Sequence, residues 1–256
     1  MICEARFRWT SAAMSHVGLV RQVNEDACLE QTERGLWAVA DGMGGHARGD
    51  VASRMVVDAL EKISAPENLA GFVADVRRQL QTVNSSLRAE AAMRDTQIIG
   101  STVVVLLACG QRCSFLWAGD SRIYLYRNGL LRQLSRDHSQ VEELRSSGQL
   151  SAEEALHHPA RNLITRAVGA ADTLELDEAG CEVMDGDIFL LCSDGVSNEV
   201  SEQEICDALI CGNCRQAAES LIAMALHGGG RDNASAVVVR AEDIYSPEKT
   251  ILNPAL

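Results

Sequence analysis

The hydrophobic period of this chain switches repeatedly along its length, and that restricts the folds open to it. Residues 36–40 (LWAVA) form a short apolar run that ends in Asp41-Gly42, the pattern of a buried strand followed by a sharp turn. Beyond a glycine-rich loop, Val51, Met55, Val56, Ala59, Leu60 and Ile63 follow helical spacing, and so do Phe72, Val76, Leu80, Val83 and Leu87. The period then shortens. Residues 101–108, 113–118 and 123–127 are β-branched or aromatic runs separated by glycine-containing turns, and Asn128-Gly129 is a strong hairpin signal. Residues 140–156 read as polar helix, 188–192 (IFLLC) as a buried strand, 202–210 and 215–227 as helices, and 234–240 (ASAVVVR) as a closing strand. Strands, two helices, strands, two helices, strand is not a strict βαβ alternation. It predicts an α+β layered domain with antiparallel sheets. No internal repeat or low-complexity linker divides it.

Charge and cysteine usage bear on what such a domain can do. Acidic residues number 36 against 23 basic ones, a net charge of −13, which argues against non-specific binding to a nucleic-acid backbone. If the chain handles phosphate, something other than net charge must attract the anion. No apolar run approaches the 18 residues or so of a membrane span. The 9 cysteines are an odd number spread along a sizeable chain, unlike a secreted disulfide framework. The opening MICEARFRWTSAAMS has no apolar core of a signal peptide, and a cytoplasmic location is expected, with Met14 an alternative start.

Three acidic residues share one local grammar. Asp41 and Asp194 each end an apolar strand and precede a glycine, and Asp120 follows a strand within Gly119-Asp120-Ser121. Asp232 precedes the closing strand, and Glu25 and Asp26 flank another. Carboxylates converging from strand ends repel one another unless cations sit among them, and all-oxygen ligands select hard ions such as Mg²⁺ or Mn²⁺. Ordinary turn aspartates are the alternative for any one of them.

Six motifs stand in order: Arg21-x-x-Asn24-Glu25-Asp26, Ala40-Asp41-Gly42-Met43-Gly44-Gly45-His46, Gly100-Ser101-Thr102, Ala118-Gly119-Asp120-Ser121-Arg122, Leu191-Cys192-Ser193-Asp194-Gly195 and Gly230-Arg231-Asp232-Asn233. In that order they resemble the metal-dependent serine/threonine protein phosphatases (PPM, type 2C), and most of all the compact stand-alone bacterial members. The match runs from about Ser15 to Arg240. The resemblance implies a four-layer α-β-β-α sandwich of two antiparallel sheets flanked by helix pairs. It implies a catalytic domain over residues 15–242, an N-terminal extension without expected order over 1–14, and a C-terminal tail over 243–256. It implies two tightly bound Mg²⁺ or Mn²⁺ ions, with Asp41 bridging both, Asp194 and Asp232 holding the first, and Glu25 or Asp26 with the Gly42 carbonyl serving the second. Asp120 with Asp194 matches a third, weaker site. Arg21 matches the arginine that grips substrate phosphate, and a water bridging the two metals is the implied nucleophile. The implied partners are phosphorylated Ser/Thr proteins and a cognate Ser/Thr kinase, with a monomer as the default. A histidine that some members carry directly after the Asp-Gly is replaced by Met43, leaving His46 as a weak substitute. Residues 139–172 match the family's mobile flap or a solvated helical hairpin.

Other motifs compete. Cys28-x5-Arg34 has the spacing of cysteine-dependent phosphatases, but Glu30 and Glu33 would repel both thiolate and phosphate. Cys206, Cys211 and Cys214 lack a fourth zinc ligand unless His227 supplies one. A regulatory binding module without turnover, and a two-metal nuclease or phosphodiesterase, are the alternative functions.

Overall fold

The computed structural model describes residues 6–44, 48–64, 67–94, 98–156 and 158–245. Two sheets carry the fold. The first has the spatial order β1 (Phe7–His16), β11 (Ala234–Asp243), β10 (Ile188–Cys192), β7 (Arg122–Arg127) and β8 (Leu130–Gln133). The second runs β2 (Asp26–Gln31), β3 (Leu36–Met43), β5 (Val103–Cys109), β6 (Arg112–Ala118) and β9 (Asp177–Glu182), with the two-residue β4 (Gly100–Ser101) against β3. Every strand pair is antiparallel. The expected hairpin forms between β7 and β8, where Asn128 (φ 52°) and Gly129 (φ 79°) supply the positive-φ pair that a tight turn needs.

The layers follow from the two-residue period of the strands. Along β3, Leu36, Ala38 and Ala40 face one way and Trp37 and Val39 the other, and both sets are fully buried. The first set packs under α1 (Gly49–Glu61) and α2 (Leu69–Met93), meeting Val56, Leu60, Phe72, Val76, Leu80 and Leu87. The second meets Phe189, Leu191, Val237 and Val239 of the facing sheet. On the outer side of that sheet, Leu190, Cys192 and Val238 pack under α6 (Glu202–Ile210) and α7 (Cys214–Gly228). Three apolar interfaces separate four layers, helix, sheet, sheet, helix. Each buried Leu, Val or Phe contributes about 1.5–3 kcal/mol relative to exposure, so the sandwich has no dispensable layer. α6 and α7 begin with capping boxes, Ser201 with Glu204 and Asn213 with Gln216.

Two expectations are corrected. The boundary between residues 14 and 15 falls inside β1, which pairs with β11 from Phe7–Asp243 to His16–Ala234. Trp9 packs with Trp37 at 5.3 Å and Phe189 at 6.3 Å between ring centroids, so residues 7–14 are part of the sandwich. β1 was hard to read because it is only half-buried, with polar and small side chains in place of apolar alternation. Residues 140–156 form two short helices instead of one, α3 (Gln140–Ser146) and α4 (Ala152–Leu156), split at Gly148 (φ 75°). The expected tail begins at Asp243, the last residue of β11, and most of it lies outside the described residues. No helix among the described residues is long and apolar enough to cross a membrane.

Candidate metal centre at the mouth of the sandwich

Strand ends bring the acidic residues to one edge of the sandwich. Asp41 lies near the end of β3, directly opposite Asp26, the first residue of β2. Its backbone is clamped on both sides. Asp41 N–H donates to Thr102 Oγ1 (3.0 Å), and its carbonyl accepts from Thr102 N–H (2.8 Å) and Ser101 Oγ (3.0 Å). Thr102 Oγ1 also shares a hydrogen bond with Ser121 Oγ at 2.7 Å. Asp194 opens the one-turn α5 (Asp194–Ser197) after β10, and Asn198 Nδ2 donates to its Oδ2 at 3.1 Å. Asp232 precedes β11 and accepts Arg21 at 2.8 Å. Glu25 accepts Gly49 N–H at 3.0 Å through Oε1.

The glycines beside these carboxylates are there for space. A Cβ on Gly42 would lie 1.9 Å from Gly49 O, and one on Gly195 would lie 2.0 Å from Asn233 O. Neither position admits any side chain. Asn233 is the joint of the mouth. Its Nδ2 donates to Val17 O (2.8 Å) and Val23 O (3.0 Å), and its Oδ1 accepts Glu25 N–H (2.8 Å). It therefore holds the loop that carries Arg21 and Glu25 against Asp232.

One cavity of about 330 Å³ is lined by Arg21, Glu25, Asp41, Gly42, Asp120, Asp194 and Asp232, together with Met43, Gly44, Thr102, Asn162, Ile164 and Asn233. Asp26 is the predicted residue that does not line it. Asp26 sits behind the mouth, 6% exposed, accepting Ser193 Oγ at 2.7 Å. Asp120 stands apart from its neighbour Arg122, whose guanidinium is engaged by Asp137 (2.7–3.0 Å) and Tyr124 OH (3.1 Å). His46 lies outside the described residues. Asn162 and Ile164, Thr102 and Asn233 carry no site signal in the sequence beyond their motifs. The first two reach the mouth from the 139–172 segment by tertiary placement alone. A larger open dish of about 520 Å³ lies against Leu150, Glu153, Glu154, His158 and Pro159, away from the converging carboxylates.

The electrostatics of the mouth are those of acids crowded around a single arginine. Burial, then Asp26, Asp194, Asp120 and Asp232, push Asp41 far above the usual carboxylate range. Asp26 and Asp120 are each raised to about 7, by burial first and then by neighbouring aspartates. Asp194 is raised by burial and by Asp232, and Glu25 by burial. Two buried carboxylate oxygens, Asp26 Oδ1 and Asp194 Oδ1, have no hydrogen-bond partner. Among the described residues no three His, Cys, Asp or Glu side chains form a ready-made ion cage. The carboxylates instead stand around the mouth, as like charges do. An all-oxygen donor set with unpartnered buried oxygens fits hard divalent cations.

The competing motifs do not assemble. Cys28 lies within β2, and burial lifts its thiol to about 12. Arg34 donates to Glu61 O and Ile63 O, not to an anion loop. Cys214 is buried beside Thr10, whereas Cys211 is exposed.

Known proteins are similar to this chain in sequence and fold. The model of the protein phosphatase 2C family matches residues 15–227. The serine/threonine protein phosphatase PstP of Mycobacterium tuberculosis is 39% identical over 250 residues, covering 96% of this chain and 48% of PstP. The chain thus spans about half the length of that relative. PppA, described as a key regulatory component of T6SS in Pseudomonas aeruginosa, is 47% identical with a TM-score of 0.86, over 91% of this chain and 97% of that one. The catalytic domain of PstP in complex with two manganese ions is 37% identical with a TM-score of 0.83, over 93% and 100% of the chains. A four-layer sandwich with carboxylates at the strand ends, matched over most of its length by these relatives, places the chain in the protein phosphatase 2C family.

Proposed function

We propose that the chain is a metal-dependent protein phosphatase hydrolysing phosphoserine and phosphothreonine on proteins. The observation that carries the reading is the composition of the 330 Å³ cavity: five acids, each at or near the end of a different strand, one arginine at the rim, and no free hydroxyl or thiol among its lining side chains. The single hydroxyl, that of Thr102, is tied to Asp41 N–H and Ser121. In this reading the carboxylates are occupied as metal ligands, and attack on phosphorus falls to water.

In this reading Asp41, Asp194, Asp232, Glu25 and the Gly42 carbonyl hold two Mg²⁺ or Mn²⁺ ions, with Asp26 behind them as ligand or hydrogen-bonding support. Asp120 with Asp194 serves a third, weaker site. When bound, such ions supply Lewis-acid activation of the attacking water and neutralise the charge that gathers on the phosphoryl group. The protein's own contribution is placement. The Thr102–Ser121 clamp fixes Asp41, Asn233 fixes the Arg21–Glu25 loop, and Ser193 fixes Asp26. Arg21 turns its fork of N–H donors from Asp232 to the phosphoryl oxygens. Cations in the mouth also explain how so acidic a chain receives a phosphate ester.

The same reading gives it phosphorylated proteins as substrates and a cognate bacterial Ser/Thr kinase as its opponent, acting as a monomer in the cytoplasm. A nuclease would need a basic groove for the phosphate backbone, and the cavity offers a single arginine. The test is hydrolysis of a phosphothreonine peptide with Mn²⁺, repeated after chelation. Turnover lost on chelation and restored by Mn²⁺ supports the reading, and turnover that survives chelation refutes it.

A further inference from the structure

Two thiols far from the carboxylates have no part in the proposed reaction. Cys113 of β6 and Cys181 of β9 are direct partners in the antiparallel register. Both are free, and their Sγ atoms lie 3.3 Å apart. Facing residues of an antiparallel pair have Cα atoms about 4.5–5.5 Å apart, within the span that a disulfide bridges. The sulfurs need only close to about 2 Å. Cys113 is buried and Cys181 half-buried, on the edge strand of its sheet. An attacking oxidant thus reaches Cys181 first, with Cys113 behind it. Half-buried Cys28 and buried Cys192, by contrast, are held at about 12 by desolvation.

The surroundings favour a thiolate at Cys181. Hydrogen bonding between the two sulfurs comes first, and Arg127 and Arg132 add positive charge against the burial and Asp187, bringing Cys181 down to about 7. Arg127 is fixed there by Asp187 (2.6 and 2.7 Å) and by the carbonyl of Glu182, the neighbour of Cys181, at 2.8 Å. A partly accessible thiolate with a second thiol in contact is the arrangement of a redox-responsive cysteine.

We propose that Cys113 and Cys181 are a reversible oxidation site for hydrogen peroxide, closing to a disulfide that staples β9 to β6. The Cys181 thiolate attacks one peroxide oxygen, the S–O bond forms as the O–O bond breaks, and the departing hydroxide takes a proton to become water. The Cys113 sulfur, having lost its proton, then attacks Cys181 Sγ. The S–S bond forms, and the sulfenic oxygen leaves with that proton as a second water. The two thiols together lose two electrons and two protons, and one peroxide becomes two waters. The staple fixes the strand that begins at Asp177, whose carboxylate accepts Arg166 at 2.7 Å and lies 3.2 Å from His138 Nε2. This inference does not depend on the phosphatase reading.

The experiment treats the full chain with hydrogen peroxide under native conditions. It then denatures and alkylates the chain and maps peptides cut with trypsin and a glutamate-specific protease by mass spectrometry, because residues 167–215 form a single tryptic peptide with five cysteines whereas cleavage after Glu178 and Glu182 isolates Cys181. The expected result is a cross-linked Cys113–Cys181 peptide, lighter than the two reduced peptides by two hydrogens and lost on dithiothreitol treatment. In Cys113→Ala, Cys181 should instead accumulate as sulfenic and sulfinic acid. The proposal is overturned if both cysteines stay alkylatable at peroxide levels that oxidise the exposed Cys211. It is also overturned if native Cys181 runs on to sulfinic acid while Cys113 remains a thiol. The wild-type peptide map needs no variant, so a folding defect in Cys113→Ala leaves the test intact.

Discussion

Asp41 and Asp194 announce themselves because each stands where a buried apolar strand meets a glycine that tolerates no Cβ. That grammar is local, so it is visible without a structure. The residues that hold them were less legible. Thr102, Ser121 and Asn233 stand within recognised motifs, yet Thr102 and Asn233 bond backbone groups 61 to 216 positions away and Ser121 bonds the Thr102 hydroxyl. Asn162 and Ile164 have no local signature at all. Replacing Asp194 with Ala removes a carboxylate from the proposed metal site and should lower kcat by about 10²–10³-fold, the scale of losing a central electrostatic contact in a transition state. Equal turnover by this variant at saturating Mn²⁺ would contradict its assignment. Arg21→Ala acts differently. Charge-assisted hydrogen bonds of about 1.5–3 kcal/mol are lost to the phosphoryl group, so kcat/KM for a phosphopeptide should fall about 10–100-fold with Mn²⁺ affinity nearly unchanged. Unaltered phosphopeptide kinetics would remove Arg21 from the site.

At the scale of elements, strongly periodic segments were readable and half-buried ones were not. α1, α2, α6 and α7 each present a continuous apolar stripe to a sheet, and β3, β5 and β10 are buried on both faces. β1 has neither signal, because its role is to complete the sheet edge along β11 with small and polar side chains. Starting the chain at Met14 would delete Phe7 to Ala13, and with it most of the β1–β11 ladder and the Trp9 contacts. The shortened chain should unfold at a clearly lower temperature than the full one, and an unchanged midpoint would show that the strand contributes nothing. A milder test lies in α6. Ser201→Ala breaks its capping box at a cost of about 1 kcal/mol, lowering the midpoint by about 2–4 °C in a domain of this size. Mn²⁺ binding should be untouched.

Across the whole molecule, a chain of net charge −13 gathers further carboxylates at one end of its sandwich, and protons and metal ions compete for them. In the metal-free chain the folded pKa of Asp26 and Asp120, about 7, lies above the ordinary value near 3.8. The folded state therefore holds protons that the unfolded state has released. The associated stability is complete below about pH 4 and is lost as the pH rises through 7. Thermal midpoints without metal should fall between pH 5 and pH 8, while the increment given by Mn²⁺ grows over the same range as ions replace protons. A metal-free midpoint that rises across this window would contradict the crowding of acids at the mouth. The central claim, that separate strand ends build one centre for divalent cations, is tested most directly by titrating the metal-free chain with Mn²⁺ in a calorimeter, beside Asp41→Asn. The account predicts two ions bound per wild-type chain, as in the manganese complex of the PstP catalytic domain, and loss of that pair in the variant. A wild-type chain that takes up no Mn²⁺, or an Asp41→Asn chain that binds it equally well, would contradict the account.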